Sequence, residues 1–217
     1  DVLGSRGLGD VYKRQDVQGL INLYGGSEEF ASVLDTLFSM PVGMSGHDVP
    51  IDITGLIGQY AHGNEPSHHV AYLYNYAGQP HKAQQRLHEI MSTLYTDQPD
   101  GLCGNEDCGQ MSAWYVFSAM GFYPVNPAEG IYILGKPMVE KAEISIGDKP
   151  FKVKTVGWSD ENIYVQSVKL NGRAYNKLFI THADIVNGGT LEFTMSSVPG
   201  NFKHAILPPS MSETLNE

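Results

Sequence analysis

The first half of the chain spaces its apolar residues three and four positions apart, as amphipathic helices do. Glu28 and Glu29 open one such segment, where a helix dipole favours acidic side chains. The segments that begin at Ser67 and Gln110 lack a polar face, so we expect them to be buried on most sides. The pattern predicts five helices: Val17–Tyr24, a segment capped by Ser27, Ser67–Tyr76, Pro80–Tyr95 and Gln110–Gly121.

The second half alternates apolar and polar residues or runs apolar over short stretches, which is typical of strands. Asn171-Gly172 is the strongest hairpin signal. The predicted strands are Ile131–Leu134, Ala142–Ile146, Phe151–Thr155, Ile163–Val168, Leu178–Thr181 and Thr190–Met195, with further turns at Gly147-Asp148 and Asn187-Gly188-Gly189. The pattern therefore predicts an α+β protein in which helices are followed by an antiparallel β-sheet or sandwich.

The chain divides into four segments on these patterns. We expect a helical region over 16–125, a β-rich region over 126–200 and a Pro/Ser-rich, poorly ordered tail over 201–217. Residues 5–15 match the translation of a transposase-based sequencing-library adapter, so we expect 1–15 to be adapter-derived and to carry no information on the fold. The natural sequence would then begin near Asp16, as a fragment of a longer protein.

The composition is acidic, with a formal net charge of −10. An acidic balance argues against nucleic-acid binding, because recognition of a phosphate backbone needs a positive surface. No run of residues is long and apolar enough to predict a membrane span.

One glycine-flanked loop carries two adjacent carboxylates, Glu106 and Asp107, just before the helix predicted at Gln110. A carboxylate there can be ionised, stabilised by the helix dipole and open to solvent, which suits a general base that acts on water. The alternative is an ordinary acidic cap at a helix N-terminus.

A second loop of the same design contains Asn64 and Glu65 before Pro66. An amide oxygen beside a carboxylate is a pair of hard oxygen ligands suited to Ca²⁺, although a capping role for Asn64 or Ser67 is the alternative. Three histidines surround the pair, which favours a polar pocket; a zinc site lacks the usual helical spacing and a soft third ligand. These histidines are His62, His68 and His69.

Cys103 and Cys108 enclose the Glu106-Asp107 loop and are the two cysteines of the chain. Two cysteines alone do not make a structural zinc site. They either form a small-loop disulfide or remain free, buried thiols. A nucleophilic role is poorly supported, because no base can be assigned to either thiol.

Four stretches of the chain carry a family resemblance: Asp16–Ile21, Gly63–His69, Pro99–Tyr115 and Gly121–Val125. They resemble glycoside hydrolase family 92, the calcium-dependent exo-acting α-mannosidases. The resemblance implies a catalytic (α/α)6 barrel beside β-sandwich structure. This chain would contain about the last five helices of the barrel and the β-rich C-terminal part.

The resemblance also implies an inverting mechanism, in which an acid and a base stand about 6.5–9.5 Å apart. Asp107 matches the base, with Asn105 or Glu106 helping to hold the water; some members carry an acid where Asn105 stands. Asn64 and Glu65 match the calcium ligands, and the ion would grip two hydroxyls of mannose. We assign the three histidines to substrate binding. The general acid would precede Asp16, so we expect this chain alone to be inactive.

The expected substrate is an α-mannoside, of the α-1,2 type found in glycans and mannans, and the expected location is periplasmic or secreted. The expected partner is the N-terminal domain of the same protein. Two alternatives remain: a non-catalytic carbohydrate-binding module, and another (α/α)-barrel sugar hydrolase. Paired oxygen-rich loops disfavour the first, and the lack of a phosphate site disfavours a phosphorylase.

Overall fold

The computed structural model describes residues 15–42, 53–146 and 149–214. The predictions for 1–14 and for the Gly147-Asp148 turn lie outside these residues. None of the helices in the described part is long and apolar enough to cross a membrane. The α-helices are α1 (Val17–Leu23), α2 (Ser27–Ser39), α3 (Leu73–Tyr76), α4 (Pro80–Thr93), α5 (Gln110–Ala119) and α6 (His182–Val186).

Two helix starts differ from the sequence prediction. Gly26, not Ser27, is the cap of α2, and no side chain caps that helix. The stretch predicted as a helix from Ser67 contains the 3₁₀ turns Glu65–Ser67 and Val70–Tyr72 before the four-residue α3. The Ser67 hydroxyl donates to the carbonyl of Asn64 at 2.7 Å, and this local bond competes with helix formation.

Ten strands form three sheets among the described residues. A hairpin of two short strands precedes the helices α3–α5, a three-stranded sheet has the order β3-β4-β9, and a five-stranded sheet has the order β5-β6-β10-β7-β8. The strands are β1 (Leu56–Ile57), β2 (Tyr60–Ala61), β3 (Phe122–Tyr123), β4 (Ile131–Leu134), β5 (Lys141–Ile144), β6 (Phe151–Val156), β7 (Tyr164–Leu170), β8 (Arg173–Ala174), β9 (Phe179–Thr181) and β10 (Gly189–Ser196).

The five-stranded sheet is mixed, so the prediction of an antiparallel sheet is wrong at one pair of strands. Strand β10 pairs with β6 in parallel and with β7 antiparallel. Because β6 and β7 run in opposite directions, a strand inserted between them must be parallel to one of the two. The sequence pattern predicts each strand, but it does not predict that β10, the last strand in the sequence, lies between β6 and β7.

Two hydrophobic cores hold the layers together. One is built mainly from the helices, and the other lies under the five-stranded sheet. Phe117 of α5 packs against both cores and therefore lies where they meet. The side-chain carbonyl of Gln84 in α4 also accepts the backbone N–H of Val165 in β7 at 3.0 Å. The (α/α)6 barrel and the division at residue 125 stay predictions.

The described part of the C-terminal segment makes specific contacts with the rest of the chain. Residues 201–214 are described, and Ile206 donates its N–H to the carbonyl of Asn176 at 2.8 Å. The carboxylate of Asp16 accepts hydrogen bonds from the hydroxyls of Ser210 and Ser212 at 3.0 and 2.6 Å. These bonds lower the pKa of Asp16 to about 2 and fasten the segment to the start of α1. Polar serines here form specific bonds.

Candidate active site

The loop before α5 has an unusual backbone. Asp107, Cys108 and Gly109 have φ angles of 41°, 57° and 83°, so three successive residues are left-handed. Such a conformation costs energy at non-glycine residues and persists only where the surroundings enforce it. It turns the chain sharply into α5 and leaves the Asp107 side chain exposed at the start of that helix.

The neighbouring carboxylate of Glu106 has a structural partner. Its two oxygens accept the backbone N–H and the hydroxyl of Ser112 at 3.1 and 2.7 Å. This bidentate arrangement fastens the loop to the first turn of α5. Glu106 therefore performs the capping role that the sequence allowed for either acid, while Asp107 is left to face the solvent.

The two oxygen-rich loops touch through their glycines. A Cβ atom on Gly104 would lie 2.6 Å from the carbonyl oxygen of Gly63, which leaves no space for any side chain. As a result Glu65 and Asp107, 42 positions apart, line the same open cavity of about 470 Å³. The other lining residues are Pro66, Gln110, Ala113, Phe117, Tyr123, Pro124 and Pro127.

Glu65 meets a simple test for a cation ligand. Its Oε1 atom is buried and has no hydrogen-bond partner among the described residues. A buried, unpaired carboxylate oxygen raises the free energy of the folded state unless a cation or water binds it. The neighbouring Asn64 carries an amide oxygen, and its side chain caps no helix. In the described part of the chain, no three His, Cys, Asp or Glu side chains converge on one point. Glu65 and Asn64 therefore fit a hard cation in kind and are only part of a full ligand set.

The predicted substrate-binding histidines lie behind the cavity, and none of the three lines it. His62 is fully buried, with Nδ1 2.7 Å from the Tyr60 hydroxyl and Nε2 2.6 Å from the Tyr95 hydroxyl. Burial lowers its pKa to about 2, so the imidazole is neutral. His69 is also buried. Their contact with substrate stays a prediction.

His68 is linked to the cavity through Gln110. Its Nε2 lies 3.1 Å from the carbonyl of His62, which can only accept, so Nε2 carries the proton. Its Nδ1 then accepts from the amide of Gln110 at 3.2 Å, and that amide also donates to the Tyr123 hydroxyl at 3.0 Å. His68 thus fixes the orientation of a cavity residue.

Sequence reasoning identified two of the residues that line the cavity, Glu65 and Asp107, and missed the others, among them Gln110, Phe117 and Tyr123. Gln110 and Phe117 lie seven positions apart on α5, which places them on one helix face and is a signal that could have identified them. Tyr123 comes from β3 and had no such signal. Asn105 is exposed on the same loop as Asp107 and does not line the cavity.

The two cysteines are free in the structure. Cys103 is half-buried, which raises the pKa of its thiol, and Cys108 is exposed. The disulfide alternative is therefore wrong. The thiol of Cys103 would also clash with any Cβ on Gly55, at 2.4 Å, so it packs tightly under the loop that leads to Gly63.

The sequence profile of the glycosyl hydrolase family 92 catalytic domain matches residues 10–197. This chain belongs to glycosyl hydrolase family 92. It is 35% identical over 184 residues to an uncharacterized secreted glycosidase of Arthroderma benhamiae, covering 83% of this chain and 22% of that protein.

Solved structures of the family have the same fold as this chain. The α-mannosidase BT3965 of Bacteroides thetaiotaomicron, solved with mannoimidazole, is 45% identical, with a TM-score of 0.86 over 94% of this chain and 27% of that one. The inverting mannosidase BT2199 of the same organism is 37% identical, with a TM-score of 0.77 over 91% and 28%. This family 92 chain thus spans about a quarter of the length of its relatives.

Proposed function

We propose that this chain is part of an inverting, calcium-dependent exo-α-mannosidase. The observation that carries the proposal is the meeting of Glu65 and Asp107 in one cavity, with a buried oxygen of Glu65 left without a partner among the described residues. A cation ligand and a solvent-facing base in one open cavity are what such a hydrolase needs. The mannosidase neighbours support the choice of sugar.

Asp107 is the general base in this proposal. It is exposed, it lines the cavity, and it lies on left-handed backbone (φ 41°) where the chain turns into α5. In an inverting hydrolase the base takes a proton from a water molecule, whose oxygen attacks the anomeric carbon as the bond to the leaving oxygen breaks. Asn105 or Glu106, which directly precede the base in the loop, helps to hold that water. The acid comes from the rest of the enzyme.

Glu65 and Asn64 are the residues that would hold calcium. When bound, the ion supplies a positive charge that orients and polarises two hydroxyls of the sugar. The protein's own contribution is to place Glu65 in the cavity at the start of the 3₁₀ turn Glu65–Ser67, with Asn64 directly before it. Pro66 restricts the preceding residue to extended backbone, which Asn64 adopts at φ −120° and ψ 117°.

The substrate in this proposal is an α-1,2-linked mannoside of a glycan or mannan. His62, His68 and His69 support the sugar site, and His68 does so through its bond to Gln110. The enzyme is exported, to the periplasm or the medium; the secreted relative supports this location.

The test uses the full-length parent enzyme and α-1,2-mannobiose, followed by ¹H NMR. We expect hydrolysis that first releases β-mannose, that is lost in EDTA and that returns with Ca²⁺ but not with Mg²⁺. Glu65→Gln should raise the Ca²⁺ concentration needed for half activity, while Glu89→Gln, on the outer face of α4, should leave it unchanged. Full activity in EDTA would refute the calcium site. Release of α-mannose first would refute inversion, and no hydrolysis of any α-mannoside would refute the function.

A further inference from the structure

A second depression lies on the five-stranded sheet, away from the loops of the candidate active site. It forms where the β7–β8 hairpin meets residues 201–205, and its volume is about 570 Å³. The walls come from Gln166, Tyr175 and Asn176 on one side and from Asn201, Phe202 and His204 on the other. The structure shows no use for these residues in the proposed reaction.

A β-bulge and a glycine shape this depression. The register between β7 and β10 shifts between Thr194 and Met195, so Gln166 is the extra residue on β7. Bulges of this kind redirect a side chain and are frequent beside binding sites. A Cβ on Gly200 would lie 2.5 Å from the carbonyl of Val165, so only glycine lets the C-terminal segment cross β7 here. That crossing brings Phe202 to the depression.

The walls carry carboxamide groups and one imidazole, that of His204. Gln166, Asn176 and Asn201 are exposed, and each amide carries donors and an acceptor. The Asn201 oxygen already accepts the backbone N–H of Lys203 at 3.1 Å. No hydrogen bond within the described part of the chain engages the side chains of Gln166 and Asn176. None of the residues that line the depression is Asp, Glu, Lys or Arg. A phosphate or carboxylate ligand therefore has no Lys or Arg partner in these walls.

Two half-buried aromatic rings complete the depression. The Tyr175 hydroxyl donates to the carbonyl of Phe179 at 2.9 Å, which fixes that ring, and Phe202 packs against the core of the sheet. Rings that are already fixed lose little entropy when a ligand packs on them. Apolar surface combined with a few convergent polar groups is typical of sites for small neutral ligands.

We propose that this depression is a non-catalytic binding site for a neutral oligosaccharide. A pyranose has an apolar C–H face that packs on an aromatic ring and a rim of hydroxyls that donate and accept at once, as carboxamides do. The site would hold a stretch of polymer while the cavity at Asp107 acts on a chain end. The choice of mannan as the polymer rests on the proposed function; the preference for a neutral glycan does not.

The test is a titration of the ¹⁵N-labelled 217-residue chain with α-1,2-mannotriose, with maltotriose as a second neutral glycan and trigalacturonate as a charged one. We expect saturable shifts of the backbone amides of 166–168, 174–176 and 201–205 with a neutral glycan, at millimolar affinity, and none with trigalacturonate. Binding of maltotriose but not of mannotriose would support a site for neutral glycans and refute mannan as its ligand.

Paired variants decide whether the site is real. Gln166→Ala with Asn176→Ala should weaken binding about tenfold, since two neutral hydrogen bonds are lost. Phe202→Leu, which keeps the apolar packing, should weaken it as well. Gln85→Ala, an exposed amide on α4, should bind as the parent does. No shift with either neutral glycan, shifts confined to the Asp107 loop, or equal affinity in all variants would refute the site. Such a result would refute this binding site and leave the proposed hydrolysis of α-mannosides by the full-length enzyme untouched.

Discussion

At the scale of single residues, Glu106 and Asp107 show how two adjacent acids acquire different roles. Both carboxylate oxygens of Glu106 accept hydrogen bonds from Ser112. Asp107 lies on left-handed backbone and lines the cavity. A carboxylate that is fully occupied by a helix N-terminus is a poor proton acceptor. The sequence allows either acid to cap the helix, and only the contacts of the folded loop separate them.

This difference predicts the outcome of two variants in the full-length enzyme. Asp107→Asn should lower kcat about 10²–10⁴-fold, because the proton acceptor is lost while the side-chain shape is kept. Glu106→Gln keeps one acceptor for Ser112 and should lower kcat by less than about tenfold. Steady-state kinetics on an α-mannoside provide the measurement. A larger loss at Glu106 than at Asp107 would transfer the role of base to Glu106.

At the scale of elements, the β7–β8 hairpin is specified almost entirely by its two turn residues. Asn171 and Gly172 have φ angles of 53° and 76°, and the Asn171 side chain accepts the backbone N–H of Thr190 at 2.8 Å. Left-handed angles at both central positions are what a two-residue hairpin needs, so the Asn-Gly pair predicts the turn correctly.

A substitution at Gly172 in this hairpin measures how much left-handed backbone at a non-glycine residue lowers the free energy of unfolding. No atom lies within 4 Å of a Cβ placed on Gly172, so Gly172→Ala adds left-handed strain and no clash. We expect a loss of about 1 kcal/mol in the free energy of unfolding by denaturant titration. Gly172→Asn should lose less, because asparagine tolerates left-handed angles. Equal losses for the two variants would mean that the turn itself rearranges.

A buried lysine lies between the helical layer and the sheet. Lys136 is 2% exposed and donates to Nδ1 of His88 at 3.2 Å. Burial lowers the pKa of its amine to about 8, although Asp160 acts in the opposite direction. The folded amine therefore titrates below its ordinary value of 10.5, and at pH 7 the charged form is penalised by burial.

Lys136→Met should accordingly stabilise the chain at pH 7 by about 1–3 kcal/mol, measured by denaturant titration. The gain should shrink as pH rises from about 8 to 10.5, because the folded parent is neutral there while its unfolded chain still binds a proton. Lys152→Met, which removes an exposed ion pair with Glu143, is the control and should change stability by less than about 1 kcal/mol. A loss on Lys136→Met would show that the amine contributes net stability.

At the scale of the whole molecule, the histidines whose pKa values are lowered by burial contribute to the response to acid. Burial lowers the pKa of His62 from 6.5 to about 2, and it also lowers the pKa of His81 and His88. At these three positions the unfolded chain thus binds more protons than the folded chain as pH falls below 6.5. The stability that neutral His62 contributes is complete above pH 6.5 and is lost as pH falls toward 2. His81 and His88 act in the same direction.

We expect neutral His62 alone to lower the free energy of unfolding at pH 5 by about 2 kcal/mol relative to its value above pH 6.5, at about 1.4 kcal/mol per pH unit. The measurement is the free energy of unfolding at a series of pH values. His62→Gln keeps a neutral donor and acceptor between Tyr60 and Tyr95 and does not titrate, so its curve should be flatter. A parent curve that stays level between pH 7 and 5 would contradict the burial of a neutral imidazole.

The sequence by itself determined what depends on neighbours along the chain. Apolar spacing predicts α4 and α5 within two residues, turn residues predict the β7–β8 hairpin, and the motifs around Glu65 and Asp107 predict the family. Each of these features is set by backbone propensity or by side chains a few positions apart.

Only the tertiary structure decided what depends on residues far apart in sequence. Strand β10 enters between β6 and β7, Gly63 and Gly104 bring two loops to one cavity, and Asp16 holds the serines of the C-terminal segment. Long-range pairing is chosen by which surfaces bury and which polar groups find partners when the whole chain packs, and no local pattern records that choice. The chemistry of each loop was therefore readable from the sequence, but their meeting was not.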